Sequence, residues 1–403
     1  MKSIRELYKI GHGPSSSHTM GPEKACELFK ERYPEAIRFK VTLYGSLAMT
    51  GKGHLTDYIV KKKLGNVEVI FDDQQVLWHP NTMDITGYDD EGRIFFMRAY
   101  SIGGGSIRID GEELDSLPEV YPHSFFEDIR KYCEDNKISL FDYVKRFEDL
   151  GIMDFLGKVY DTMMETIDLG LTTTGFLPGE LHLKRKAQFL WDNKLANENQ
   201  EVTRTRIISS FAYATAEENA SGGIVVTAPT CGSAGVVPAV LRYLRDRDGY
   251  DREKCLESLA VAGIIGNVIK HNASISGAIA GCQAEIGSAS AMASAMHSYL
   301  LGMSLGQIEY AAEISMEHHL GLTCDPVLGY VQIPCIERNA VGALRATDSS
   351  RLAFFLSQSR KISLDMVIDT MYQTGKDIHT KYRETGIGGL ALLYQKIKDE
   401  KEQ

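Results

Sequence analysis

The sequence predicts an α+β protein in two parts, a small α/β-sheet domain over residues 1–150 followed by a mainly α-helical domain over 151–403. Three observations carry this. Several short runs in the first part alternate apolar and polar residues at a period of two, with helix-like runs between them. From about residue 151 such runs almost vanish, and helical stretches are separated by Gly- and Pro-bearing loops such as GFLPGEL, TAPTCGSAGVVP and CDPVLGYVQIPC. The 403 residues, 43% hydrophobic and 24% charged, suffice for two or three domains and a large core.

In chain order, residues 22–33 read as a helix with Pro22 in its first turn. IRFKVTLYG follows as a strand, with Ile37, Phe39, Val41 and Leu43 on one face. A glycine-rich loop, GSLAMTGKGH, precedes the helix LTDYIVKKK and the strand NVEVIFD. RIFFMRAYSIGGGSIRID reads as strand, glycine loop and strand. Residues 121–150 are charged, helix-like and expected to bridge the two domains. Beyond them, helices rich in Ala, Ser and Gly, such as GSASAMASAMHSYLLGM, are built for close packing. The apolar stretch around 284–303 is broken by Glu285, His297 and several serines, which marks a buried helix and not a membrane span.

The net charge of −10 and the lack of a basic stripe argue against nucleic acid as a partner. Lys61–Lys63 read as the solvated end of a helix. MKSIRELYKI carries no apolar signal segment, so a cytoplasmic location is expected. Seven cysteines in such a compartment do not form a disulfide framework. Cys26, Cys133 and Cys255 lie in helix-like runs and read as small buried hydrophobes.

Polar residues concentrate in the loops. GPSSSHTMGP places Ser15, Ser16, Ser17, His18 and Thr19 just before a helix, more hydroxyls than one N-cap requires. SLAMTGKGHLTD holds Lys52 and His54. The loop either connects strand to helix, with Thr56 or Asp57 as cap, or supplies a histidine base. SIGGGS, ending at Ser106, is a tight hairpin or a backbone that approaches a ligand, and is not a dinucleotide fingerprint. TAPTCGSAGVVPAVLRYL, with Thr230 and Gly232, feeds a helix and lacks the lysine of a nucleotide loop. KHNASISGAIAGCQAEIGSA carries Asn272, Cys282 and Gln283. EHHLGLTCDPVLGYVQIPCIERN carries Cys324 and Cys335. The steps of 42 and 11 residues between these three cysteines match no local zinc or ferredoxin spacing. By spacing alone they read as buried thiols, and zinc held with His318 and His319 stays a further option.

Taken together, GPSSSHTMGP, SLAMTGKGH, HPNTMDI, SIGGGS, LPGEL, TAPTCGSAGVVPAV, NASISGAIAGCQAEIGSA and TCDPVLGYVQIPCIERNA resemble the bacterial iron–sulfur L-serine dehydratases, along nearly the whole chain and in the family's motif order. The resemblance is to the single-chain type without an ACT domain. It implies a [4Fe–4S] cluster on Cys282, Cys324 and Cys335 with one iron open to substrate, a site between the two domains, conversion of L-serine to pyruvate and ammonia, and commonly a homodimer. It also implies His54 and His18 as the acid/base pair, with His54 the expected base. The expected substrate-binding residues are Ser15, Ser16, Ser17, Thr19, Lys52, Ser106, Thr230, Gly232, Asn272 and Gln283. The chain departs from the family in three places. No cysteine stands in LLYQKIKDEKEQ, Cys231 stands where many relatives carry Asn, and Ile279 where many carry Glu. A pyridoxal-phosphate route finds no convincing lysine, since nothing marks Lys52 or Lys270 for it. The alternatives carried forward are an iron–sulfur L-cysteine desulfidase and a serine-binding regulatory protein without catalysis.

Overall fold

A computed structural model of the chain describes residues 1–75, 77–112, 118–356 and 360–402. It is α+β. The sheet of the small domain has the order β3-β2-β4-β5-β6, formed by β2 (Arg38–Tyr44), β3 (Val67–Asp72), β4 (Thr82–Tyr88), β5 (Ile94–Gly103) and β6 (Ser106–Ile109). Only β2 and β3 run parallel, and the helix Thr56–Leu64 makes the crossover between them. Phe39, Val41 and Leu43 of β2 point into the core with Ala25, Cys26 and Phe29 of the helix Gly21–Arg32, while Arg38 and Lys40 face water. Ile37, expected on the same face, precedes the strand and is 58% exposed. The GSLAMTGKGH segment is not all loop, because Ser46–Thr50 form one short helix within it.

The helical domain holds the larger core. At its centre lies the helix Ser288–Leu300, nearly all buried and packed among Arg252–Asn272, Leu305–Glu317 and Cys335–Leu356. Three of its serines are tolerated there because each finds a partner on a neighbouring helix. Ser290 Oγ donates to the Gly342 carbonyl at 2.8 Å, Ser294 Oγ to the Ala311 carbonyl at 2.9 Å, and Ser298 Oγ pairs with Ser350 Oγ at 2.8 Å.

Met1, Ile4, Leu7 and Tyr8, together with residues from the helices Phe126–Asn136 and Leu140–Phe147, also belong to this helical core. The N-terminal ammonium donates to the Tyr121 carbonyl at 2.5 Å, and Tyr8 Oη to the Leu259 carbonyl at 2.9 Å. The amphipathic stretch at 121–150, read as a bridge, packs against the helical side. β1 (Ile10–His12) then pairs antiparallel with β7 (Ile224–Val226), which fastens the start of the chain to the helical domain just before the serine-rich turn. Among the described residues no helix is long and apolar enough to cross a membrane.

Candidate active site

The serine-rich turn builds itself before it can bind anything. Ser15 caps the turn Ser16–Met20, its Oγ accepting from the His18 amide at 3.1 Å. Thr19 Oγ1 accepts from the Ser15 amide at 3.1 Å and donates to the His54 carbonyl at 2.8 Å. Thr56 Oγ1 donates to the His18 carbonyl at 2.6 Å. These bonds tie the turn to the GKGH loop, so two histidines 36 positions apart in sequence meet with ring centroids 4.6 Å apart and ring planes tilted by 36°.

The two rings are placed differently. Both nitrogens of His18 are engaged, Nδ1 with Ser17 Oγ at 2.8 Å and Nε2 with Ser46 Oγ at 2.9 Å. Burial, reinforced by His54, holds its pKa well below the usual histidine value. His54 is 1% exposed, and burial lowers its pKa to about 4. Its Nδ1 lies 3.1 Å from the Thr50 carbonyl, which can only accept, so Nδ1 carries the proton. Nε2 is thereby left with a lone pair, and it is buried with no partner. A neutral imidazole with one free nitrogen is the form a general base requires.

His54 lines a cleft of about 200 Å³ together with Ser15, Ser16, Ser17, Gly103, Gly104, Thr230, Gly232, Lys270, Cys282, Glu285, Cys324, Cys335 and Glu384. The serine turn and the glycine loop reach it from the small domain, and the rest comes from the helical domain. Cys282 and Cys324 hydrogen-bond to each other. That contact lowers the Cys282 thiol below its ordinary value, with help from Arg338, and raises Cys324. Burial pushes Cys335 well up. Arg338 is held in place by the Thr323 carbonyl at 2.5 Å and by Asp325 at 3.5 Å. Burial also raises Glu285, against hydrogen bonding from Thr230, and lifts Glu384 to about 8 with Glu285 and Cys282 adding to the effect. Glu384 arrives from far along the chain because its amide donates to the Cys324 carbonyl at 2.8 Å, and it adopts a left-handed backbone, φ 60°. Gly277 makes room here. A Cβ on it would stand 3.0 Å from Glu285 Oε2 and 3.2 Å from Cys324 Sγ.

Of the residues expected from sequence, Ser15, Ser16, Ser17, His54, Thr230, Gly232 and the three cysteines meet at this cleft. The others lie elsewhere. His18 and Thr19 do not line the cleft, although the His18 ring centre lies 4.6 Å from that of His54 and Thr19 donates to the His54 carbonyl. Lys52 is exposed, with its ammonium 5.7 Å from the Phe71 ring centre. Ser106 begins β6 opposite the lining Gly103 but does not itself line the cleft. Asn272 Nδ2 donates to the Ser124 and Val268 carbonyls at 2.6 and 2.9 Å. Gln283 spans the Ala280 and Met371 carbonyls and the Gly321 amide. Cys231 packs against Met20, Val225 and Ala234 and does not line the cleft. Sequence reading did not single out Glu285, Glu384 or Lys270 for the site, although Glu285 lies three positions after Cys282. Among the described residues no group of three His, Cys, Asp or Glu side chains is drawn together around one metal ion.

A helical scaffold that gathers thiols at a cleft, met by a sheet domain that delivers a neutral histidine to it, defines an enzyme site. Comparison with known proteins agrees. The family model for the serine dehydratase beta chain matches residues 3–67, and that for the alpha chain matches residues 127–391. The chain is 40% identical to the L-serine dehydratase of Haemophilus influenzae, over 97% of this chain and 99% of that one. It is 41% identical to L-serine dehydratase 2 of Escherichia coli, over 97% and 99%. It is 38% identical to the L-serine dehydratase of Helicobacter pylori, over 96% and 98%. The chain belongs to the serine dehydratase family and carries both of its parts in one polypeptide.

Proposed function

We propose that this protein is an L-serine ammonia-lyase that converts L-serine to pyruvate and ammonia, with a [4Fe–4S] cluster on Cys282, Cys324 and Cys335. The observation that carries the reading is the unpartnered Nε2 of His54 in a cleft walled by three thiols. The donor set fits the group. All three cysteines line one cavity, contact with Cys324 lowers the Cys282 thiol there, and soft thiolate ligands favour iron–sulfur clusters. A cluster spreads its ligands over several iron atoms, so the three thiols need not converge on one point.

When bound, the cluster would supply Lewis acidity for departure of the substrate hydroxyl. The chain supplies the rest. His54 Nε2 takes the α-proton as the bond from the β-carbon to oxygen breaks, and the protonated His54 returns that proton to the departing hydroxide, which leaves as water. The aminoacrylate product tautomerises to an imine, and water hydrolyses it to pyruvate and ammonia. His18, fixed between Ser17 and Ser46, holds the His54 ring in position, and the Ser15–Ser17 turn orients substrate. Thr230 and Gly232 shape the opposite lining around Glu285. We further propose a cytoplasmic homodimer whose sheet domain and helical domain divide these tasks. Enzyme loaded with cluster under anaerobic conditions is expected to form pyruvate and ammonia in equal amounts from L-serine. Sulfide release from L-cysteine without turnover of L-serine would replace this reading with a desulfidase, and turnover of neither would leave a binding protein.

A further inference from the structure

The reading above leaves open what holds the amino-acid end of the substrate. An α-amino acid carries opposite charges at its two ends, and a buried site must compensate both. Glu285 and Glu384 line the cleft and offer carboxyl oxygens that can accept hydrogen bonds from the ammonium. Among the described lining residues one lysine and no arginine is present, Lys270. It lies in the last turn of the helix Arg252–Asn272. Its Nζ donates to the Glu6 carbonyl at 2.7 Å, which uses one of its three N–H groups. The Glu6 carboxylate is paired with Lys9 Nζ at 2.8 Å and acts on Lys270 only through space, with Lys9 and Lys2 opposing it. The ammonium faces the glycine loop. A Cβ on Gly104 would lie 3.9 Å from Lys270 Nζ, and Gly103, Gly104 and Gly105 all have positive φ, so no side chain stands between the lysine and the cleft.

We propose that Lys270 anchors the carboxylate of the substrate, with the SIGGGS loop kept bare so that the carboxylate can reach it. This rests on the L-serine reading above. Burial lowers Lys270 to about 8, and a bound carboxylate would shift it back up.

The test uses cluster-loaded enzyme and the variants Lys270→Met and Lys270→Gln. The KM for L-serine is expected to rise about 100-fold, the size seen when one partner of a buried charge pair is removed. Competitive inhibition by L-alanine, which keeps the carboxylate, is expected to weaken in proportion. Inhibition by ethanolamine, which is serine without its carboxylate, is expected to change by no more than a few-fold. Iron and sulfide content should match the wild type. An unchanged KM, or an equal loss for L-alanine and ethanolamine, would overturn the anchor while leaving the dehydratase reading intact. A wild-type enzyme inert towards L-serine would sink that reading first, and the anchor with it.

Discussion

Replacing His54 by glutamine is expected to flatten the acid side of the stability curve. Burial holds the His54 pKa at about 4, partly opposed by the Thr50 carbonyl, whereas the unfolded chain titrates near 6.5. As pH falls below 6.5, the unfolded chain takes up a proton here that the folded chain refuses. The stabilising contribution is therefore complete above the unfolded pKa and is lost progressively as pH falls towards 4. Between pH 7 and pH 5 the difference amounts to about 2 kcal/mol. Urea unfolding followed by circular dichroism at both pH values measures it, for wild type and His54→Gln. The wild type should lose about 2 kcal/mol more than the variant on acidification. Burial lowers His297 and His319 as well, but they are present in both proteins and cancel. His18 loses the repulsion of its neighbour in the variant, which acts in the same direction. An identical acid dependence would mean that His54 takes up protons freely in the folded state, and the account of a neutral base held ready by burial would fail.

Three further outcomes follow from the packing and the site. Gly170→Ala places a Cβ 2.4 Å from the Ala214 carbonyl oxygen, where the helices Ile152–Thr172 and Gln200–Ala220 touch backbone to backbone. It should cost about 2 kcal/mol in chemical denaturation, whereas Gly306→Ala, which meets open space, should cost nothing. Cys335→Ser should cut bound iron and sulfide severely while far-ultraviolet circular dichroism stays as in the wild type. His54→Gln should lower kcat by about 10²-fold or more with iron and sulfide content unchanged, and retained turnover would remove His54 from the role of base.

Much of the sheet could be read in the sequence because its strands obey a period of two against a single buried face, as Phe39, Val41 and Leu43 do. β4 was harder to see. It runs through HPNTMDITGY, where a glycine and several polar residues mask the alternation. The placement of Met1–Tyr8 in the helical core had no periodic signal, since it depends on contacts with Tyr121 and Leu259 far along the chain. At the site, the clustering of hydroxyls in SSSHT was a usable signal, and so was a histidine at the end of a glycine loop. Proximity to a motif misled in other cases. Asn272 and Gln283 flank the cleft residues, yet their amides are spent on backbone carbonyls. Cysteine spacing said nothing by itself, and only the ordered set of motifs gave Cys282, Cys324 and Cys335 a common role. Glu384 was invisible because a backbone bond to Cys324 brings it in, and such a bond leaves no mark on side-chain patterns.

The central claim is that three thiols and His54 form one catalytic unit. Its most direct test is graded anaerobic reconstitution, with iron and sulfide bound per chain measured beside the rate of pyruvate formation from L-serine. The account predicts a rate that rises in proportion to cluster content and falls with it when air is admitted. Serine-dependent pyruvate at full rate in protein free of iron and sulfide would contradict it.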